Sequence, residues 1–330
     1  MNVRSVFKSI GELDQLREFA RGAALEVAQL GPGVMRGVLA HADLARSSVH
    51  MNRFSLPARG RGALSSSRWT FVVFPQDARG RFNCHPLDAG VLLAYPPGKE
   101  FEGTIEGRFK DWVFTIESDQ LARACEVLSQ PCLFSRGSTC HALRAKPRRI
   151  DQLRQFASST LALAEESPHV LHDARIRRSL HDELTDLLAR AVLSTSTGTT
   201  GRGSHESHWQ IVKQAEGLAR SMCDRRVRIS DLCVETGVSE RTLRNAFVNV
   251  MGLSPQAYLK TIRLNHVRAE LERSNGNRPT VGETAMRWGF FHLGRFSQEY
   301  RRFFGELPSE TRQRPGQAAS SPTSVDPEAD

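Results

Sequence analysis

Two segments of the chain, about 50 residues apart, show the same order of features: a short amphipathic helix, a glycine turn and a second amphipathic helix. In the first segment, residues 229–252, Gly237 makes the turn and Ser239 is the N-cap of the second helix. In the second segment, residues 280–283 have capping-box spacing and Gly289 makes the turn. A helix over YLKTIRLNHVRAELE joins the two copies. This arrangement predicts a tandem helix-turn-helix domain.

The second helix of each unit separates apolar from polar residues. In the first unit the predicted apolar stripe consists of Leu243, Ala246, Phe247 and Val250. It leaves Arg241, Arg244, Asn245 and Val248 outward. In the second unit the predicted apolar stripe consists of Leu293, Phe296, Tyr300, Phe303 and Phe304, and the opposite face carries Gly294, Arg295, Gln298, Arg301 and Arg302. Arginine can donate two hydrogen bonds to guanine, and asparagine can pair in the same way with adenine. The outward faces therefore predict contact with the major groove of DNA.

Charge is concentrated in the same part of the chain. Of the 330 residues, 45 are Lys or Arg and 36 are Asp or Glu, which gives a formal net charge of +9. Residues 209–316 contain 18 Lys or Arg against 11 Asp or Glu, whereas residues 1–208 contain 27 against 22. A basic balance of this size fits a polyanionic partner such as nucleic acid.

A tract rich in Ser, Thr and Gly, residues 194–208, predicts a flexible linker between two domains. The expected division is an N-terminal domain over residues 1–193 and a DNA-binding domain over residues 209–316. The polar segment 317–330 is expected to be a disordered tail.

The N-terminal domain combines strand and helix patterns. A helix capped by Ser9 is expected to continue to about residue 29. Short apolar runs separated by Gly and Pro then continue to about residue 117, which predicts a small β-sandwich or barrel. A helical hairpin is expected over residues 148–193, with an apolar seam from Ile176 to Ala191 that packs either on the domain core or on a second subunit. The predicted fold class is α+β.

The C-terminal segments resemble a known family. The motifs GVSERTLRNAF, GLSPQAYLKTIRLNHVRAEL and RWGFFHLGRFSQEYRRFFGELPSE are similar to the DNA-binding domain of AraC/XylS transcription regulators over about residues 209–312. The resemblance implies that the second helix of each unit enters a major groove. It assigns base contacts to Arg241, Arg244, Asn245, Leu293, Gly294, Arg295 and Gln298. Arg301 and Arg302 lie farther along the helix and are expected to contact phosphate.

A second resemblance covers the N-terminal domain. Three features are similar to the cupin-like sensor domain of a subgroup related to ethanolamine-operon regulators. They are the expected first helix and the segments QLGPGVMRG and LDAGVLLAYPPGKEFEG. The resemblance implies a β-sandwich that senses a small molecule, but the identity of an effector does not follow from a fold. Aromatic side chains and charged groups in the strands give the candidate effector pocket, namely Arg53, Arg68, Trp69, Tyr95, Glu100 and Trp112.

The sequence lacks the common motifs of enzymes and metal sites. We find no GxSxG, P-loop, GxGxxG after a strand or HExxH motif, so we expect neither an enzyme nor a bound cofactor. The Cys and His residues do not have metal-ligand spacing, and we expect no metal site. No apolar run approaches the length of a membrane span, and the six cysteines form no CxxC pair, which favours a cytoplasmic protein.

The resemblance implies an effector-responsive transcription activator that binds double-stranded DNA as a homodimer and contacts RNA polymerase. Two alternatives stay open. A DNA-repair protein of the alkyl-transfer type can carry a similar C-terminal domain, but it would need a zinc-activated cysteine in a Cys cluster. An effector-independent DNA-binding protein would use the N-terminal part only for oligomerisation, and the loss of ligand pockets in the sandwich would favour it.

Overall fold

The N-terminal half of the chain is built mainly from β-strands. The structure, a computed structural model, describes residues 6–10, 25–83, 85–128, 140–195, 204–221, 227–273 and 279–313. The strands within these residues are β1 Val6–Ile10, β2 Leu25–Gln29, β3 Gly37–Asp43, β4 Ser47–Phe54, β5 Ala58–Ala63, β6 Arg68–Val73, β7 Gly80–Phe82, β8 His85–Pro86, β9 Val91–Tyr95, β10 Glu100–Ile105, β11 Phe109–Glu117 and β12 His141–Arg144.

The strands form two antiparallel sheets. The larger has the order β1-β3-β4-β11-β6-β9-β12, and the smaller has the order β2-β5-β10-β7-β8. Because side chains alternate along a strand, β11 contributes to two cores. Phe109 and Val113 belong to the core between the sheets, whereas Phe114 and Ile116 belong to the core on the other face of the larger sheet. The sheet-rich N-terminal domain predicted from the sequence is confirmed.

Helices cover the outer face of the larger sheet. They are α1 Ser118–Val127, α2 Pro147–Glu166 and α3 Ala174–Leu193, with a short 3₁₀ helix at Pro168–His172 between α2 and α3. Leu184, Leu188 and Ala191 are completely buried in the core that these helices share with the sheet. Leu184 and Ala191 of the predicted seam therefore pack on their own domain, whereas Ile176, Leu180 and Leu187 are only partly buried.

The helix expected from Ser9 to about residue 29 is wrong at both of its ends. Residues 6–10 form β1, and residues 25–29 form β2, which pairs with β5 through contacts such as Val27 with Gly60. A short apolar segment does not distinguish a helix from a strand by periodicity, and here pairing with a neighbouring strand decides. Residues 11–24, the middle of the expected helix, lie outside the described residues.

The C-terminal part is helical. Its described helices are α4 Ser204–Ser221, α5 Ile229–Thr236, α6 Glu240–Met251, α7 Pro255–Arg273, α8 Val281–Arg287, α9 Leu293–Phe304 and α10 Pro308–Gln313. Helix α4 begins inside the stretch 194–208 that was expected to be linker, because the SHESH segment continues directly into the apolar pattern that follows. The expected tail, residues 317–330, lies outside the described residues.

Two separate cores stabilise the helical part. The first contains Trp209, Leu243 and Phe247, and Leu30 of the N-terminal domain packs into it. The second contains Val267, Phe296 and Tyr300. Each core supports one helix-turn-helix unit, which confirms the helical domain expected from the sequence.

Candidate nucleic-acid interface

The first unit holds its second helix by a tight turn and a cap. Gly237 closes α5 in the left-handed conformation, with a φ of 64°, which glycine adopts without strain. Ser239 caps α6, and its Oγ accepts a hydrogen bond from the backbone N of Thr242 at 3.2 Å. The predicted stripe is buried, and it consists of Leu243, Ala246, Phe247 and Val250. Arg241, Arg244 and Asn245 are all exposed on the opposite face of α6.

The second unit repeats this arrangement. Thr280 and Glu283 form the predicted capping box of α8, since the backbone N of Glu283 donates to Thr280 Oγ1 at 3.1 Å and Glu283 accepts in return from Thr280. Gly289 makes the turn with a φ of 80°. The rings of α9 that fill the second core are Phe296, Tyr300 and Phe304, with Phe303 partly buried beside them.

One residue of the predicted apolar stripe of α9, Leu293, is exposed and not buried. It lies in the first turn of the helix with 37% of its surface exposed, and it is not part of the second core. The reason is position: the core of this unit is centred on the middle and end of α9, so the first residue of the helix projects past it. Gly294, Arg295, Gln298, Arg301 and Arg302 are exposed as the sequence predicts.

The charged groups on the two exposed faces differ in their partners. Arg295 Nε donates to Glu299 Oε1 at 3.0 Å, and Lys260 Nζ lies 2.8 Å from the same oxygen. Burial of Glu299 opposes ionisation, but the hydrogen bonds from Lys260 and Arg295 hold its pKa below the ordinary value. Within the described residues, no carboxylate pairs with the arginines at the other exposed positions, Arg241, Arg244, Arg301 and Arg302. These four guanidinium groups are available for an anionic partner.

Comparisons with known proteins agree with this geometry. A family model described as a helix-turn-helix domain matches residues 232–314. The XylDLEGF operon transcriptional activator 1 of Pseudomonas putida is 28% identical over 245 residues, which cover 72% of this chain and 69% of that protein. This alignment is longer than the helical part alone, so it extends into the N-terminal domain.

The chain is a DNA-binding transcription regulator, and it is similar to regulators of the AraC/XylS family. A probable thc operon regulatory protein of Rhodococcus erythropolis is 37% identical over 100 residues, 30% of each chain. The solved structure of a probable AraC family transcriptional regulator from Rhodopseudomonas palustris is 38% identical and covers 32% of this chain and 96% of that chain, with a TM-score of 0.30. These matches give no support to a DNA-repair protein. The narrower resemblance to ethanolamine-operon regulators stays a prediction.

The six residues expected to line an effector pocket do not converge in this regulator. Trp69 and Trp112 pack in the core between the larger sheet and the helices, whereas Tyr95 lies in the core between the two sheets. The charged members are Arg53 and Glu100, which are both exposed, and Arg68, whose Nη2 donates to the carbonyl of Ala45 at 2.7 Å. The predicted pocket is therefore corrected, because strand alternation sends its aromatic rings to opposite faces of one sheet.

The sequence did not reveal a largely buried polar cluster in the larger sheet of the regulator, in which Ser48 and Asp111 are buried. It consists of His41, Ser48, His50, Asn52, Asp111 and Thr115. The His41 and His50 Nδ1 atoms are 3.2 Å apart, and Asn52 Nδ2 donates to Asp111 Oδ1 at 2.8 Å. By strand alternation these residues share the face of Phe109 and Val113, toward the smaller sheet. The polar residues at every second position of SSVHMNRF were the available signal.

Burial sets the ionisation of this cluster. It raises the pKa of Asp111 to about 7, although hydrogen bonds from Asn52 act in the opposite direction. Burial also lowers the pKa of His41 and lowers that of His50 well below the ordinary value. The cluster therefore holds neutral imidazoles near pH 7 beside a carboxyl group that titrates there.

A second buried cluster joins the two domains of the regulator. Arg59 of β5 donates from Nη2 to Glu216 of α4 at 2.6 Å and to Glu102 at 3.1 Å, and its guanidinium lies 5.1 Å from the ring centroid of Trp209. The hydroxyl of Tyr258 donates to Glu216. A cavity of about 40 Å³ lies beside this cluster, which is room for a few water molecules only.

The described ranges contain neither a metal site nor a membrane-spanning helix. No group of three or more His, Cys, Asp or Glu side chains there is placed to hold a metal ion. Among the helices of those ranges, none combines the length and apolar character that crossing a membrane requires.

Proposed function

We propose that this regulator is an effector-responsive activator that binds double-stranded DNA as a homodimer and places α6 and α9 in successive major grooves. The main support for the proposal is the pair of helices α6 and α9. Each packs on its own apolar core, and each has exposed arginine and amide side chains. The relatives in Pseudomonas putida are named as operon transcriptional activators, which supports activation and hence a contact with RNA polymerase. The regulator would act in the cytoplasm, where bacterial DNA lies.

The residues of the two exposed faces divide between bases and phosphates in this proposal. Arg241, Arg244 and Asn245 contact bases from α6, because the N-terminal part of a recognition helix lies deepest in the groove. In α9 the base-contacting positions are Leu293, Gly294, Arg295 and Gln298. Arg301 and Arg302 lie farther along α9 and contact phosphate.

A matched pair of arginine variants tests the division. Arg244→Ala should cost about 1–3 kcal/mol on the specific site and much less on random DNA, because a base contact is lost. Arg302→Ala should weaken binding to both DNAs alike and reduce the salt dependence. Affinities from fluorescence anisotropy at several salt concentrations provide the measurement. Equal losses on specific and random DNA for Arg244→Ala would contradict its role.

The sensing part of the proposal assigns residues 1–193 to effector binding and dimerisation. The strongest candidate for effector contact is the cluster around His50 and Asp111, because it presents hydrogen-bonding groups inside an otherwise apolar sandwich. Thermal shift measurements with a metabolite panel test it on the wild type and on His50→Leu. A compound that changes DNA affinity and stabilises both proteins equally would exclude this cluster. Sedimentation of the full chain tests the dimer.

A further inference from the structure

Two apolar side chains are exposed at the beginning of α9. Phe291 has 64% of its surface exposed and Leu293 has 37%. The neighbouring ring of Phe290 is buried and packs against Phe296, with ring centroids 5.0 Å apart. The sequence therefore places one phenylalanine in the core and directs the next one outward, beside the helix that is proposed to enter the groove.

The same turn of α9 offers few hydrogen-bond donors. Leu293 and Gly294 have no polar side-chain atom, and the Nε of Arg295 already donates to Glu299. The corresponding part of α6 is different, because it presents Arg241 and Arg244 without carboxylate partners in the described residues. The first turn of α9 thus presents mainly carbon atoms to a base edge.

Charge identifies DNA as the occupant of this apolar surface. Arg301 and Arg302 are exposed on the same helix and, within the described ranges, have no carboxylate partner. A helix with exposed apolar groups at its start and free guanidinium groups toward its end matches a major groove, with bases at its floor and phosphates along its walls. The one apolar feature that a base edge displays in the major groove is the C5-methyl group of thymine.

We propose that the second helix-turn-helix unit recognises thymine by its C5-methyl group, which Phe291 and Leu293 contact in the major groove. The proposal rests on the proposed function, since α9 must lie in a major groove. It implies that the two units select sequence by different chemistry. The first unit forms hydrogen bonds to base edges, and the second buries methyl groups.

Deoxyuridine provides a direct test, because it pairs as thymine does and lacks only the methyl group. The experiment uses the full-length protein and a duplex in which every thymine protected by the second unit is replaced by deoxyuridine. Wild-type affinity should fall about fourfold for each contacted methyl group, on the scale of about 0.8 kcal/mol per buried carbon. Phe291→Ala should bind the thymine duplex more weakly than the wild type and should lose most of the difference between the two duplexes.

Met286→Ala is the matched control. Met286 is 50% exposed and lies on α8 of the same unit, outside the first turn of α9. This variant should keep the full preference of the wild type for thymine. Deoxyuridine placed under the first unit should affect the wild type and Phe291→Ala to the same extent. Equal thermal melting of the two variants and the wild type excludes a folding defect, since both side chains are exposed.

The possible failures are distinguishable. Wild-type protein that protects the second groove but binds thymine and deoxyuridine duplexes equally would overturn the methyl contact and leave the proposed function intact. Phe291→Ala that binds DNA normally but fails to activate transcription would overturn it too, because the ring would then contact a protein. Absence of any protection by the second unit would instead overturn the proposed function.

Discussion

Gln29 and Asn265, which are 236 residues apart in the chain, form a reciprocal pair of hydrogen bonds between the two domains. The backbone N of Gln29 donates to Asn265 Oδ1 at 3.0 Å, and Asn265 Nδ2 donates to the backbone O of Gln29 at 2.9 Å. Four residues later, the backbone N of Gly33 donates to the carbonyl of Phe303 at 2.8 Å. One short segment of the N-terminal domain therefore contacts both the connecting helix α7 and the end of α9.

Asn265→Ala should destabilise the protein by about 2–4 kcal/mol, because it leaves a buried backbone donor and acceptor of Gln29 without their side-chain partner. Urea unfolding of the full chain measures the change. Asn249→Ala is the matched control, since Asn249 is an exposed asparagine that bonds His208 at 3.2 Å. A loss no larger than that of the control would show that the pair between Gln29 and Asn265 does not form in solution.

The buried Arg59 gives a second prediction for the same interface. Glu216→Gln should cost about 2–3 kcal/mol, because a buried guanidinium loses one of its two carboxylate partners while Glu102 remains. Asp186→Asn, which removes an exposed and solvent-screened pair with Arg190, should have a much smaller effect. The same unfolding measurement compares them. Equal small effects would mean that water or ions reach Arg59 and that the domains separate readily.

The raised pKa of Asp111 predicts that the free energy of unfolding depends on pH. Its pKa is about 7 in the folded protein against an ordinary value of 3.8, so the folded state keeps a proton that the unfolded chain releases. This group therefore lowers stability as pH rises from about 4 to about 7, and its full cost is present above pH 7. Asp111→Asn stays neutral, so its stability relative to the wild type should increase by about 2–4 kcal/mol between pH 4.5 and pH 8. A constant difference across this range would contradict burial of the carboxyl group.

The helix-turn-helix units could be predicted from the sequence because their signals are local. Gly237 and Gly289 occupy left-handed turns, and the caps at Ser239 and Thr280 lie next to the helices that they begin. Leu293 could not be placed in this way. Its helical phase agrees with the apolar stripe, and only the extent of the second core decides that it is exposed.

The contacts of the N-terminal domain depend on pairing between distant strands, which the sequence alone does not reveal. Trp112 and Tyr95 both belong to apolar strands, but the register of the larger sheet sends them to opposite faces. The polar cluster around His50 likewise forms only because β3, β4 and β11 lie side by side. The contact between Gln29 and Asn265 depends on how both domains pack together, so no local sequence pattern predicts it.

In the proposed function, one chain places two recognition helices in DNA. Hydroxyl-radical footprinting of the full-length protein on its genomic site tests it most directly. We expect two protected segments per protomer, centred about 10 base pairs or roughly 34 Å apart on one face of the duplex. Arg244→Ala should weaken the segment under α6, and Arg295→Ala should weaken the segment under α9. Protection of a single groove segment per protomer, with both units folded, would contradict the insertion of both α6 and α9.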